Sequence, residues 1–301
     1  MKKVVLSVSA MLFVGAIGFA QENSQDTYQL GDHQQSSVTQ DGMQNAAVVR
    51  QGVLPNTSIS SSWNESTIKQ KGELNRSWVS QNNFSNLADQ KQIGNSNSAV
   101  IWQDQVAGAP NATKGNDNAY QTQTGNNNTA VIDQGTAGNW RPTGAAGSGS
   151  PSATAYDQTA PTLASVKTNF TVDQQGFIDA VTSNSGTPTD ALVTPHESNT
   201  ATQNQKGNYN VAYASQGGTN NESTQIQNSG TASEGEGNKS VHLQYGNHNK
   251  AWSSQTGTSH IDNMGQIGKY NTSNLTQTGN NQASLVFQKG NSNTSNVTQS
   301  N

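Results

Sequence analysis

From Gln29 onward one short unit keeps returning, Gln-x-Gly-x-x-Asn-x-Ala/Ser-x-x-x-Gln, and its closing Gln opens the next copy. Gln244, Gln255, Gln266, Gln277, Gln288 and Gln299 follow one another at a spacing of 11 residues. Gln70, Gln81, Gln92 and Gln103 do the same, as do Gln205, Gln216 and Gln227. A short period kept this strictly marks stacked repeats. It moves the functional question from a catalytic pocket to a surface or an assembly.

The constrained positions share one parity. Six residues before a Gln stands Asn, as in Asn45, Asn97, Asn128, Asn210, Asn249 and Asn293; four before stands Ala or Ser; two before is often aliphatic, as in Val49, Ile101 and Ile132. In a strand, equal parity means the same face, so one face reads Asn, small, aliphatic, Gln while the other varies. Glycines two residues after the Gln, such as Gly246, Gly257 and Gly268, supply tight turns with positive φ. A seven-residue strand and a four-residue turn make one module. The expected fold is all-β: a parallel β-solenoid of 11-residue strand-turn modules, two per coil, interrupted by a long insertion. Stacking coils at ~4.7–4.9 Å would set like amides above one another and let them pass hydrogen bonds along the axis. The residues expected to form this assembly ladder are Gln40, Asn45, Gln51, Gln92, Asn97, Gln103, Gln123, Asn128, Gln134, Gln205, Asn210, Gln216, Gln244, Asn249, Gln255, Gln277, Gln288, Asn293 and Gln299. An antiparallel meander would break those like-on-like rows. An α-solenoid is disfavoured by the Gly, Asn and β-branched content.

Composition alone would point to a disordered polar chain, with 30% hydrophobic and 11% charged residues among 301. The fixed offsets argue otherwise, since disorder requires no Ala or Ser at a set place. A net charge of −4 without a basic block gives no footprint for nucleic acid. Residues 1–20 read as a secretory leader: Lys2 and Lys3, an apolar run from Val4 to Ala16, then Gly18-Phe19-Ala20 before Gln21. A membrane anchor is the other reading of that run, which is short for a span of ~20 residues. The chain has no Cys, so backbone and amide ladders must hold an exported fold without disulfides.

Four segments follow: the leader at 1–20, repeats at 21–134, a low-complexity insertion at 135–198, and repeats at 199–301. The insertion is rich in Gly, Ala, Ser, Thr and Pro. It is expected to carry a short strand from Lys167 to Val172 and a short helix from Gly176 to Val181. It reads as an excursion that leaves and re-enters at one turn, dispensable for folding, with a small ligand-binding insertion as the alternative. The last repeat, Asn293 to Gln299, leaves no room in this sequence for a separate sorting domain.

With these residues in view, the unit resembles the curlin repeat of curli amyloid subunits. Clear copies are Gln40 to Gln51, Gln92 to Gln103, Gln123 to Gln134, Gln205 to Gln216 and Gln244 to Gln255. The resemblance covers most of 29–134 and 199–301. It implies a secreted subunit polymerising into extracellular amyloid fibres for biofilm matrix and adhesion. It also implies self and other curlin-like subunits as partners, and an outer-membrane secretion channel with export chaperones. The chain has more repeats than curlin subunits and a split array, which leaves main subunit, nucleator and minor component all open. Gln90, Gln121, Gln203 and Gln225 stand at the aliphatic position, and His260 and Asp262 at the Asn and Ala positions of one module. They are expected to weaken the ladder locally.

An enzyme is not expected. His33, His196, His242, His248 and His260 have no metal spacing, His242 and His248 read as surface residues, and no Ser-His-Asp arrangement is visible. No cofactor is implied. An ice-binding solenoid would need a Thr face, which is missing. The alternative to a fibre subunit is a monomeric adhesin that binds carbohydrate or a host surface through outward aromatics: Trp78, Trp102, Tyr120, Tyr213, Trp252 and Phe287.

Overall fold

The computed structural model describes residues 22–52, 62–103, 115–134, 170, 171, 173–177 and 197–301. The leader and most of the insertion lie outside them. The described chain is almost wholly β, in two stacked sheets of nine parallel strands. The first sheet holds β1 (Ser24–Gln29), β3 (Ala46–Gln51), β5 (Arg76–Gln81), β7 (Ser98–Gln103), β9 (Thr129–Gln134), β11 (Val211–Thr219), β13 (Lys239–Asn247), β15 (Ile261–Lys269) and β17 (Ala283–Asn291). The second holds β2 (Gln35–Met43), β4 (Glu65–Glu73), β6 (Leu87–Ile93), β8 (Asn118–Thr124), β10 (Thr200–Lys206), β12 (Glu222–Asn228), β14 (Lys250–Thr258), β16 (Thr272–Asn280) and β18 (Thr294–Ser300). The chain alternates between sheets at every turn, as a β-solenoid does, and the meander is excluded because every pairing is parallel.

Register sets like on like. In β14 and β16, Gln255 faces Gln277 and Gly257 faces Gly279. Between β9 and β11, Gln134 faces Gln216, so the whole insertion is passed without a slip. A one-residue slip would turn every interior side chain outward. The small interior positions, with Val49, Ile68, Ile101 and Ile132 beside Ala47, Ala88, Ala119 and Ala201, fill the space between the sheets. Leu275, Met264 and Val286 continue it toward the C-terminal coils.

The turns differ from the four-residue linker expected. Strands such as β16 run on through the glycine for nine residues, and only Asn281 and Gln282 separate β16 from β17. The corner is made by two left-handed residues. Gly268 has φ +125°, and a Cβ there would lie 1.9 Å from Gly290 O in the next coil. Two residues on, Tyr270 has φ +57° although it is not glycine. The same conformation recurs at Trp63, Leu74, Tyr209 and His248. An inter-coil bond holds each rung in place, as from Leu74 N to Met43 O at 3.1 Å and from Tyr270 N to Asn247 O at 3.0 Å. A non-glycine residue in that region costs about 1–2 kcal/mol, and Leu74 is exposed and buys little packing in return. Leu74→Asn is therefore expected to stabilise the fold by about 1 kcal/mol. Thermal unfolding reads this directly, and a lowered midpoint would contradict it.

The outer face of the first sheet is the main departure from expectation. Trp78 and Trp102 are 6% exposed and Tyr213 is 0% exposed. They do point away from the interior, but they form a second core with Val100, Val131, Val241, Leu243, Tyr245 and Ile267. Part of the insertion packs here. Phe170 meets Tyr213 edge-on at 6.4 Å, and Phe177 packs against the cluster. Gln174 donates to Asp262 O at 3.5 Å. The helix expected at 176–181 is found as one turn at 173–177, with 178–181 outside the described residues. Phe170 and Thr171 are not in a strand, and the rest of the strand expected at 167–172 is not described. Of the aromatics expected outside, Tyr120 and Phe287 are exposed and Trp252 is half-buried.

Candidate functional site

The parallel register turns each interior amide position into a row. In the first sheet Gln29, Gln51, Gln81, Gln103, Gln134, Gln216, Gln244, Gln266 and Gln288 form one chain of side-chain bonds at 2.7–3.0 Å. In the second, Gln40, Gln70, Gln92, Gln123, Gln205, Gln227, Gln255, Gln277 and Gln299 form another at 2.8–3.0 Å. Each Nε2 donates to the Oε1 of the following coil. Its other hydrogen crosses to the opposite sheet, as from Gln266 to Lys250 O at 2.9 Å. The rows thus link coil to coil and sheet to sheet while leaving few buried amides unpaired.

The Asn rows run with the opposite sense. Asn45, Asn75, Asn97, Asn128 and Asn210 each donate Nδ2 back to the Oδ1 of the preceding rung. That Oδ1 also accepts the backbone N–H of the next rung, and Nδ2 commonly reaches a turn glycine carbonyl, as Asn97 reaches Gly125 O at 2.8 Å. Asn221, Asn249, Asn271 and Asn293 repeat this along the other edge. Every residue expected in the ladder therefore sits in one of these four rows.

Two expectations about the exceptions are overturned. Gln90, Gln121, Gln203 and Gln225 do not weaken the stack. They form a fifth row, at 2.8–2.9 Å, and each also donates to a first-sheet carbonyl such as Val131 O. A Gln at an apolar place is costly alone, but neighbouring rungs supply partners to Gln121, Gln203 and Gln225, and only Gln90, stacked on Ile68 at the start of the row, keeps a buried Oε1 without a partner. His242 is not at the surface. It is fully buried at the aliphatic position, with Ser223 Oγ 3.0 Å from Nδ1, and Ser253 Oγ and Asp262 Oδ2 at 3.0 and 2.9 Å from Nε2. A Ser-His-Asp grouping thus exists in space where the sequence shows none. Ser223 is 1% exposed and the other members are sealed, so no substrate can reach the serine. It serves as a polar plug: Ser240, bonded to Asp262 at 2.8 Å, receives the end of the Gln90 row through Gln225. Asn263, on the outer face of β15, is also covered, at 8% exposed.

Two interior residues depart from their rows. His260 takes the Asn place after Asn238, accepting none of the usual side-chain traffic but donating its backbone N–H to Asn238 Oδ1 at 3.1 Å. Asp117 takes the place between Asn86 and Asn199. It is fully buried, and burial pushes its carboxyl from 3.8 up to about 7, with Glu197 adding to the rise against hydrogen bonds from Asn199. The sequence signal for it was available, a carboxylate six residues before Gln123. Among the described residues no group of three or more His, Cys, Asp or Glu is placed to hold a metal, and no helix is long and apolar enough to cross a membrane.

Compared with known proteins, the chain matches no family model and no curated protein.

Proposed function

We propose that this chain is a secreted structural subunit that self-assembles end to end into extracellular curli-like fibres, in keeping with its resemblance to the curlin repeat. In this reading the building unit is the 11-residue strand-turn module, two to a coil. The partners are further copies and other curlin-like subunits, with an outer-membrane channel and chaperones for export, and no catalysis is involved.

One observation carries the reading: the Gln rows are polar and, among the described residues, both of their ends are open. Gln288 and Gln299 donate across the stack to Thr272 O and Ala283 O but have no following Gln to receive the second hydrogen. At the other end Gln29 and Gln40 donate forward and, among the described residues, receive from no Gln. A donor-bearing end and an acceptor-bearing end complement each other head to tail, a contact that does not close and so propagates. Among the described residues, the edges of β17 and β18 are likewise unpaired on one side. The adhesin alternative loses ground, because Trp78, Trp102 and Tyr213 are buried.

The protein from Gln21 onward is expected to form fibres with cross-β reflections and to bind amyloid dyes. Gln299→Lys should slow elongation severalfold while barely changing the melting of the single subunit, since Gln299 lies on the last strand and is only half-buried. A chain that stays monomeric for days at high concentration would refute the proposal.

A further inference from the structure

We propose that Asp117 works as a protonation-dependent rung, so that the solenoid is complete only when this one carboxyl carries a proton. In the rungs from Asn221 to Asn293 the side-chain nitrogen points at the Oδ1 of the rung before it, as from Asn221 to Asn199 at 3.1 Å and from Asn249 to Asn221 at 3.0 Å. Asp117 occupies the same backbone place. Its N–H donates to Asn86 Oδ1 at 3.0 Å, and its Oδ1 accepts Asn199 N at 2.7 Å. That leaves Oδ2 where an Nδ2 belongs. This oxygen is buried and has no hydrogen-bond partner.

The chemistry of that atom decides the state of the rung. As a carboxylate, Oδ2 brings a lone pair to a place built for a donor and is sealed from water, an arrangement that burial penalises heavily. As a carboxylic acid, it carries an O–H and reproduces the donor that Asn would supply. The groups around it offer no compensating charge. The preceding rung, Asn86, and the following rung, Asn199, are neutral, and the charged neighbour, Glu197, is itself acidic. The rise of the Asp117 carboxyl to about 7 agrees with this geometry.

The sign follows. The folded carboxyl holds its proton better than the unfolded one, so the contribution to stability is full below 3.8 and is lost as pH rises to about 7. Within that window the folding equilibrium should weaken by roughly tenfold per pH unit from this group. The device favours the folded, stackable chain in mildly acidic surroundings.

The test compares equilibrium unfolding of the soluble full chain and its Asp117→Asn variant from pH 4 to pH 8.5 at fixed ionic strength. The variant supplies the missing Nδ2 and fits the row, so it should fold. Its folding equilibrium should exceed that of the wild type by a factor that grows about tenfold per pH unit across the window. The other buried acidic and histidine side chains, Asp133, His242, His260 and Asp262, are common to both proteins and cancel in the difference. A direct reading comes from infrared spectra at pH 5.5 with isotopically labelled Asp, where a neutral carboxylic-acid band should be present in the wild type and reduced in the variant. Superimposable pH profiles, or no loss of that band on substitution, would overturn the proposal.

Discussion

Gln266→Lys is expected to cost about 3–5 kcal/mol of stability, the scale of an uncompensated charge left inside a protein. Gln266 is fully buried, and it accepts from Gln244 at 2.9 Å, donates to Gln288 at 2.8 Å and donates to Lys250 O at 2.9 Å. An ammonium can donate to the carbonyls but accepts nothing, so Gln244 loses its partner and the charge has no counter-ion. With total stabilities of about 5–15 kcal/mol for ordinary domains, one such change removes a large share. Gln277→Lys should act alike in the second sheet, where Gln277 joins Gln255 to Gln299. Asn274→Lys and Thr276→Lys are the controls, on the outer face of β16 and half-buried. They should stay within about 0.5 kcal/mol, the ordinary range for surface substitutions. Asn263 would not serve as a control, because it faces the covered side of the first sheet. Raising the pH should recover part of the loss at Gln266→Lys, since a buried lysine sheds its proton more easily than a free one. Denaturant midpoints of the soluble chain measure all four variants. Equal losses in both sets would show that the interior and outer faces had been exchanged.

How far the sequence led can be judged residue by residue. The parity of Asn, small, aliphatic and Gln placed the interior correctly, because a period of 11 joined to alternation leaves one arrangement in which like meets like. The failures share a physical origin: each depended on neighbours one coil away. Gln225 looks like a defect when module 223–227 is read alone, and like a satisfied rung once Gln203 is set beside it. His242 finds its partners Ser223 and Asp262 at separations of 19 and 20 residues, so no local spacing announces the cluster. The left-handed corner residues have no common side chain, as Leu74, Ser96 and Tyr209 illustrate, and composition cannot reveal a conformation that so many types adopt under constraint.

The covered outer face was legible in principle. Its residues in the first sheet include Val48, Trp78, Val100, Trp102, Val131, Tyr213, Val241 and Leu243, whereas the same positions in the second sheet include Thr67, Lys69, Asp89, Lys91, Thr202, Asn204, Asn274 and Thr276. Reading every module at the 11-residue period averages the two sets into a face that reads as free to vary. Reading alternate modules, at the 22-residue spacing of the stacked Gln pairs, separates an apolar sheet from a polar one.

That asymmetry changes what removal of the insertion should do. Replacing 135–198 by a four-residue turn containing Gly is expected to keep the β-sheet spectrum, because Gln134 and Gln123 already meet Gln216 and Gln205 in register. It is not expected to be silent, as a featureless excursion would be. The deletion takes away Phe170, which is 4% exposed, and Phe177, and bares the surface around Tyr213 and Gly265 that they contact. Burying one large apolar side chain stabilises a fold by about 1.5–3 kcal/mol, so the shortened chain should melt several degrees lower. It should also bind a hydrophobic dye and associate side by side, as exposed apolar patches do. Phe170→Ala in the full-length chain isolates the packing contribution, at about 3 kcal/mol for a buried aromatic cut back to a methyl. Dye binding and sedimentation of the two variants distinguish the cases. If the shortened chain remains monomeric, dye-negative and as stable as the parent, the insertion contributes nothing to the first sheet. If it loses its β-structure altogether, the stack depends on the insertion for more than cover, and the in-register re-entry at Gln134 and Gln216 would not be enough to hold the coils together.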